Sequence, residues 1–193
     1  SHPPFRVRRL TACAFTSTGP STVPSPVPGT IFADRAARLL AGQARFAQPV
    51  HTPIDKDIPV AGGMACGSAD AAGALVACDA LWGVGSSKAA LEALGAELGS
   101  DVPFALNGGT AIGSGRGDQL VPVLGRGRYH WVFALSDVGL STAKVYAECD
   151  RLRAGRRVPE PVPPASMMTA LRAGGSVSLG RALSNYLQPA GLA

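Results

Sequence analysis

Gly62, Gly63 and Gly67 fall within six positions and stand directly ahead of an alanine-rich apolar run, Ala69 to Trp82. This juxtaposition constrains the chain more than any other feature. Glycine lets a backbone take positive φ and pass close to a ligand. The apolar run has the length of a buried helix. A helix starting at Ser68 leaves its first amides with no carbonyl behind them. Those amides and the helix dipole make an anion site facing the glycines. Ser68 can cap the helix or help hold a phosphate-bound Mg²⁺. Asp70, in the first turn, suits the dipole but repels a bare phosphate, so a cation between them is favoured. No Gly-Lys-Ser/Thr follows the glycines, which excludes the common phosphate loop. No G-x-G-x-x-G follows a strand, which excludes the dinucleotide fingerprint. On composition alone, a glycine-rich turn ahead of a buried helix is an equal alternative.

Length and composition narrow the class. A chain of 193 residues buries one core or two small ones. With 46% hydrophobic and 16% charged residues it is a globular sequence, not a disordered one. No run of about 18 apolar residues is present, so no membrane span or membrane partner is expected. Arg6, Arg8 and Arg9 have no apolar signal core after them, and the cytoplasm is the expected compartment. Cys13, Cys66, Cys78 and Cys149 show neither C-x-x-C pairing nor metal-ligand spacing, so reduced thiols are expected. The net charge of +5 draws anions. Aromatics do not interleave with the arginine clusters and no nucleic-acid module signature is present, so nucleic acid is not expected as a partner.

Residues 1–29, rich in Pro, Ser, Thr and Gly, read as irregular, with at most a short strand at Phe5 to Leu10. Thr30 to Ala47 reads as an amphipathic helix: Ile31, Ala36, Leu39, Leu40 and Ala44 share one face, and Asp34, Arg35, Arg38 and Arg45 face water. Val50, Thr52 and Ile54 alternate with His51, Pro53 and Asp55, the pattern of an edge strand. Lys56 follows it, as a solvated strand-end charge or a residue reaching a nucleotide. Gly83 and Gly85 end the alanine-rich helix, and Ser86 or Ser87 caps a second one, Lys88 to Leu98, with Leu91, Leu94 and Leu98 on one stripe. Asp101 then stands between a helix end and an apolar strand start, Val102-Pro103-Phe104. There it can take a proton from a substrate hydroxyl or simply organise an Asx turn. Gly108 to Gly117 reads as a glycine-broken strand, and Tyr129 to Leu135 as an apolar strand. Ser141 or Thr142 caps a helix from Ala143 to Arg153. After a proline-rich stretch come short helical pieces at Ser166 to Ala173 and Leu179 to Leu187.

Taken together, Pro59-x-x-Gly62-Gly63-Met64-x-x-Gly67-Ser68-Ala69-Asp70, Leu98-Gly-Ser-Asp-Val-Pro-Phe104, Gly108-Gly-Thr-Ala-Ile-Gly-Ser-Gly-Arg-Gly117 and Leu140-Ser-Thr-Ala-Lys-Val-Tyr146 resemble the GHMP kinases. Within that superfamily they are most similar to the kinases of 4-diphosphocytidyl-2-C-methyl-D-erythritol, which serve non-mevalonate isoprenoid synthesis. The resemblance covers roughly Ile31 to Gln188. It implies an α+β fold: a mixed or antiparallel sheet with helices on one face, as in the GHMP-kinase N-terminal domain, with a partial C-terminal domain. The implied division is an irregular segment over 1–29, the ATP-binding domain over 30–155, and a linker with a fragment of the second domain over 156–193.

The resemblance also implies roles. ATP phosphates, with Mg²⁺ near Ser68, lie along Lys56 and Pro59, Val60, Ala61, Gly62, Gly63, Met64, Ala65, Cys66, Gly67, Ser68 and Ala69. Asp101 is the catalytic base, and Thr142 and Tyr146 hold the cytidine end of a cytidine-diphosphate derivative of methylerythritol. Gly108 to Gly117 lies near the diphosphate, where Arg116 either contacts phosphate or is a plain surface arginine. Four positions depart from the family. Cys66 replaces a glycine, Ala143 a proline and Tyr186 an acid, and no lysine precedes Lys56 to match the family's N-terminal catalytic lysine. The later glycine-rich segment of the family is also not matched, so weak turnover is expected. Another GHMP kinase, such as one acting on homoserine or mevalonate, and a non-catalytic nucleotide-binding remnant are the alternatives.

Overall fold

The computed structural model describes residues 28–44, 50, 63–133, 140–158 and 161–192, with the side chains of the first helix described from Phe32 onward. These residues fall into two compact units, the first holding the chain up to Pro122 except Gly63, and the second holding Gly63 with the chain from Val123 onward. Lys56, the strand expected over 50–55 and the segment before residue 28 lie outside the described residues, apart from Val50.

The first unit is built on two helices. Helix α1, Pro28–Gln43, buries Ala33, Ala36, Ala37 and Leu40 along one stripe. Asp34 and Arg38, one turn apart on the outer face, pair at 2.8 Å. The helix begins two residues before the expected Thr30 because proline, with its fixed φ and no N–H, fits a first helical position. Helix α2, Cys66–Trp82, answers with Ala71, Ala72, Ala74, Leu75 and Cys78, all buried. Gly83, at φ 63°, ends it in the left-handed conformation. Asp79 Oδ1 then accepts the Ser86 N–H at 3.0 Å and shapes the turn into helix α3, Lys88–Leu98. The Ser87 hydroxyl caps α3 by accepting the Ala90 N–H at 3.2 Å.

Val102-Pro103-Phe104 is not a strand. It opens helix α4, Val102–Asn107. Pro103 has no N–H to give a sheet ladder but fits the first turn of a helix. Packing decides the rest. Val102 is fully buried, and its Cγ1 sits 3.0 Å from where a Cβ on Gly95 would stand. Lys88 Nζ donates to Asn107 Oδ1 at 2.8 Å and holds the far end of α4.

The glycine-rich segment after α4 is a β-hairpin and not one broken strand. Strand β1, Ala111–Ser114, runs antiparallel to β2, Gln119–Pro122, with Ile112 opposite Val121 and Gly113 opposite Leu120. Gly115 and Gly117 carry positive φ in the connecting turn. Gly113 is required by space: a Cβ there would lie 2.9 Å from the Gly117 carbonyl oxygen. Among the described residues this antiparallel pair is the sheet, and with the helices it makes the fold α+β.

The second unit is helical among its described residues: α5, Thr142–Arg153; α6, Ala165–Ala173; α7, Ser176–Ala182; and α8, Gln188–Gly191. Ala170, Leu171 and Leu179 form its core, with Val123, Tyr129, Met167 and Met168 packed around them. Two expectations fail here. Residues 129–133 form no strand. The chain just before them is tied instead to α6, with the Arg126 N–H on the Leu171 carbonyl at 2.8 Å and the Tyr129 hydroxyl on the Arg126 carbonyl at 2.7 Å. The helix expected over Leu179 to Leu187 breaks after Ala182, because Asn185 Oδ1 accepts the Leu187 N–H at 2.9 Å and turns the chain before α8.

Leu75→Ala is expected to lower stability by about 2–5 kcal/mol, read as a lower urea midpoint at unchanged slope. Gly113→Ala is expected to cost about 1–3 kcal/mol through overpacking of the hairpin, read the same way.

Candidate active site

The anion loop enters α2 through two left-handed residues, Gly63 at φ 68° and Ala65 at φ 50°. Ala65 is the one non-glycine residue with positive φ among those described. That conformation costs an L-residue roughly 1–2 kcal/mol, and strain of this kind collects where a backbone is shaped for a ligand. The first helical bond runs from the Ala69 N–H to the Ala65 carbonyl at 3.0 Å. The amides of Gly67 and Ser68 therefore come before any helical acceptor.

The helix starts at Cys66, two residues earlier than expected. Ser68 is its third residue and cannot be its cap. The cap position belongs to Ala65, which makes no side-chain hydrogen bond. Asp70 moves from the first turn to the second and is fully buried. Cys66 takes helical geometry, so replacing glycine there carries no φ penalty; the left-handed step falls one residue before it. Met64, Cys66, Gly67 and Ser68 are half-buried and Ala69 is exposed. Pro59, Val60, Ala61 and Gly62 lie outside the described residues.

Phe32 joins this loop to Asp101, which sequence reasoning did not find. One edge of its ring stands over the start of α2, with Cδ2 3.2 Å from where a Gly67 Cβ would be. The ring also reaches the end of α3, with Cε1 4.0 Å from where a Gly99 Cβ would be. The tight approach is at Gly67; at Gly99 the distance is ordinary van der Waals contact. Arg35, one turn on, lies with its guanidinium carbon 5.8 Å from the ring centroid.

Asp101 follows Gly99 by two residues, at the junction of α3 and α4. Its side chain is exposed and makes no cap hydrogen bond, so it is not an Asx-turn residue there. Its carbonyl accepts the Ala105 N–H at 3.2 Å, which anchors the backbone and leaves the carboxylate facing out.

Arg116 lies in the hairpin turn and is already engaged. Its Nη2 donates to Asp118 Oδ2 at 2.6 Å and to the Ala96 carbonyl at 3.2 Å. The hydrogen bonds from Arg116 hold the Asp118 carboxyl below its ordinary value of 3.8. In the second unit, Thr142 is the first residue of α5 and Tyr146 lies one turn later on the same side. Both are exposed, Tyr146 by 54%. A cleft of about 550 Å³ at the other end of α5 is lined by Cys149, Arg153, Arg156 and Tyr186, and neither Thr142 nor Tyr146 lines it.

Residues 32–109, which contain α1 from Phe32 onward, the glycine loop ahead of α2 and Asp101, match the family model described as the GHMP kinases N terminal domain. Over those residues the chain is similar to the GHMP kinases. It is 55% identical over 177 residues to a 4-diphosphocytidyl-2-C-methyl-D-erythritol kinase of Streptomyces avermitilis, covering 92% of this chain and 60% of that protein. It is 56% identical over 168 residues to a protein of the same name from Thermobifida fusca, covering 87% of this chain and 54% of that one. A crystal structure of a 4-(cytidine 5'-diphospho)-2C-methyl-D-erythritol kinase superposes with a TM-score of 0.64 at 26% identity, over 92% of this chain and 63% of that one. The chain thus spans little more than half the length of these relatives. No helix among the described residues is long and apolar enough to cross a membrane.

Ala65→Gly is expected to stabilise the fold by about 0.5–1 kcal/mol, the relief of left-handed strain less the entropy of an added glycine, seen as a higher Tm. Because the Asp118 carboxyl titrates below its unfolded value, its pair with Arg116 contributes fully above that value and is lost as pH falls through the lowered one. A carboxyl NMR titration of Asp118 should show a midpoint below 3.8 that returns toward it in Arg116→Ala.

Proposed function

We propose that this chain is the nucleotide-binding and catalytic-base part of a kinase. The reaction transfers the γ-phosphoryl of ATP to the 2-hydroxyl of 4-diphosphocytidyl-2-C-methyl-D-erythritol in non-mevalonate isoprenoid biosynthesis, in the cytoplasm. The observation that carries this reading is the shared Phe32 ring, which brings the amide end of α2 and the Asp101 junction to the same edge of the first unit.

The loop from Pro59 to Ala69, with Lys56 before it, cradles the ATP phosphates. Its left-handed steps at Gly63 and Ala65 turn the backbone so that the Gly67 and Ser68 amides meet negative charge. Among the described residues no three His, Cys, Asp or Glu side chains stand together. The Ser68 hydroxyl, in the first turn of α2, would help hold a phosphate-bound Mg²⁺. When bound, the ion neutralises charge on the phosphates. Asp101 accepts the proton of the substrate hydroxyl as its oxygen bonds to the γ-phosphorus and the bond to ADP breaks. Thr142 and Tyr146 present a hydroxyl and an aromatic face to the cytidine end, where Tyr146 stacks on the base.

The test is substrate-dependent ADP formation with Mg-ATP, comparing the unmutated chain with Asp101→Asn. A loss of about 100-fold or more in kcat, the usual share of a general base, is expected with little change in the KM for ATP. Turnover unchanged by Asp101→Asn would rule out the assigned base. Turnover with homoserine or mevalonate in place of the cytidylyl substrate would move the chain to another branch of the GHMP kinases.

A further inference from the structure

We propose that Arg116 is a positioning residue that braces the loop carrying Asp101, and not a ligand for substrate phosphate. Its guanidinium faces two fixed acceptors. Nε and Nη2 both donate to Asp118 Oδ2, at 3.1 and 2.6 Å, and Nη2 also donates to the Ala96 carbonyl at 3.2 Å. Ala96 lies in the last turn of α3, where carbonyls have no further helical amides to accept from. A cation at that end also meets the negative pole of the helix. Arg116 therefore caps α3 from outside the helix.

The chain leaving that capped turn runs straight to the base. The Gly99 N–H bonds back to the Gly95 carbonyl at 3.1 Å, and the Val102 N–H bonds to the Gly99 carbonyl at 3.2 Å, with Asp101 between them. The anchor on the hairpin side is firm as well. The Asp118 side chain is only 14% exposed. The Ser114 carbonyl accepts the Gly117 N–H at 2.9 Å, and the Gly117 backbone lies too close to Gly113 for Gly113 to carry a Cβ. Asp118 neutralises the guanidinium, and two of its three nitrogens are committed. A phosphate clamp needs those same nitrogens and that net charge.

The catalytic part of this proposal rests on Asp101 being the base; the bracing does not. Backbone hydrogen exchange and steady-state kinetics on Arg116→Ala, Arg116→Lys, Asp118→Asn and the double variant Arg116→Ala/Asp118→Asn test both. Exchange at residues 100–102 is expected to rise about tenfold in Arg116→Ala and in Asp118→Asn, with α1 and α2 unchanged. kcat is expected to fall about tenfold in each, with the KM for the cytidylyl substrate within about twofold, and the double variant no worse than either single one. Arg116→Lys should recover part of kcat, since one ammonium reaches one of the two acceptors. A raised substrate KM with kcat and exchange unchanged in Arg116→Ala would establish a phosphate ligand and overturn the proposal. Exchange raised evenly along the chain would reduce Arg116 to general stability, and unmutated exchange in Asp118→Asn would remove the brace. If the unmutated chain forms no ADP, the kinase reading fails and the exchange data still decide the brace.

Discussion

The close contact of α1 with α2 is the constraint on which the first unit depends. Both helices present small side chains to the seam: Ala33, Ala36 and Ala37 on one, Ala71, Ala72 and Ala74 on the other, with Leu40, Leu75 and Cys78 filling the rest. Alanine gives up no side-chain entropy and lets helix backbones come near each other. The seam fixes where the first turn of α2 stands, and that turn carries the amides of Gly67 and Ser68, which have no helical acceptor. Phe32 sits at its end. Because Gly67 has no side chain, the ring can lie close against the start of α2, and its far edge comes within ordinary contact range of Gly99, two residues before Asp101. A ring so placed makes the site's two halves depend on the same packing.

Electrostatics then act on a scaffold already set by sterics. The amide end of α2 favours negative charge, and Asp101 stands exposed at the junction of two other helices. Among the described residues of the first unit, three cations are committed. Arg38 pairs with Asp34, Lys88 holds Asn107, and Arg116 is tied to Asp118 and Ala96. Such exposed pairs add little stability individually. Their value is in holding turns and helix ends in one arrangement.

In the second unit, the described core is small: Ala170, Leu171 and Leu179 with a few partly buried neighbours. Trp131, Val132, Tyr146 and Leu183 stay exposed. Small cores leave more apolar surface uncovered in proportion to their size, and Tyr146 is the exposed aromatic that the motif reading assigned to a cytosine ring.

Much was legible in local pattern alone. The 3.6-residue stripes of α1 and α3, the Ser87 cap, the Gly83 stop and the positions of the family motifs all follow from residue type and spacing, because helix propensity, capping and glycine conformation are set within a few residues. Tertiary structure decided what those rules leave open. Val102-Pro103-Phe104 could read as a strand until Gly95 offered Val102 a place against α3. The glycine segment became a hairpin because a second strand was available at the right register. The start of α2 moved to Cys66 because the left-handed step fell on Ala65, a residue whose composition gives no sign of it. Phe32 is one apolar residue of α1 among several, and only its approach to two glycines 32 positions apart in sequence sets it apart. Local chemistry determined the elements and the motif; long-range packing, which no short window of residues encodes, decided which of them meet.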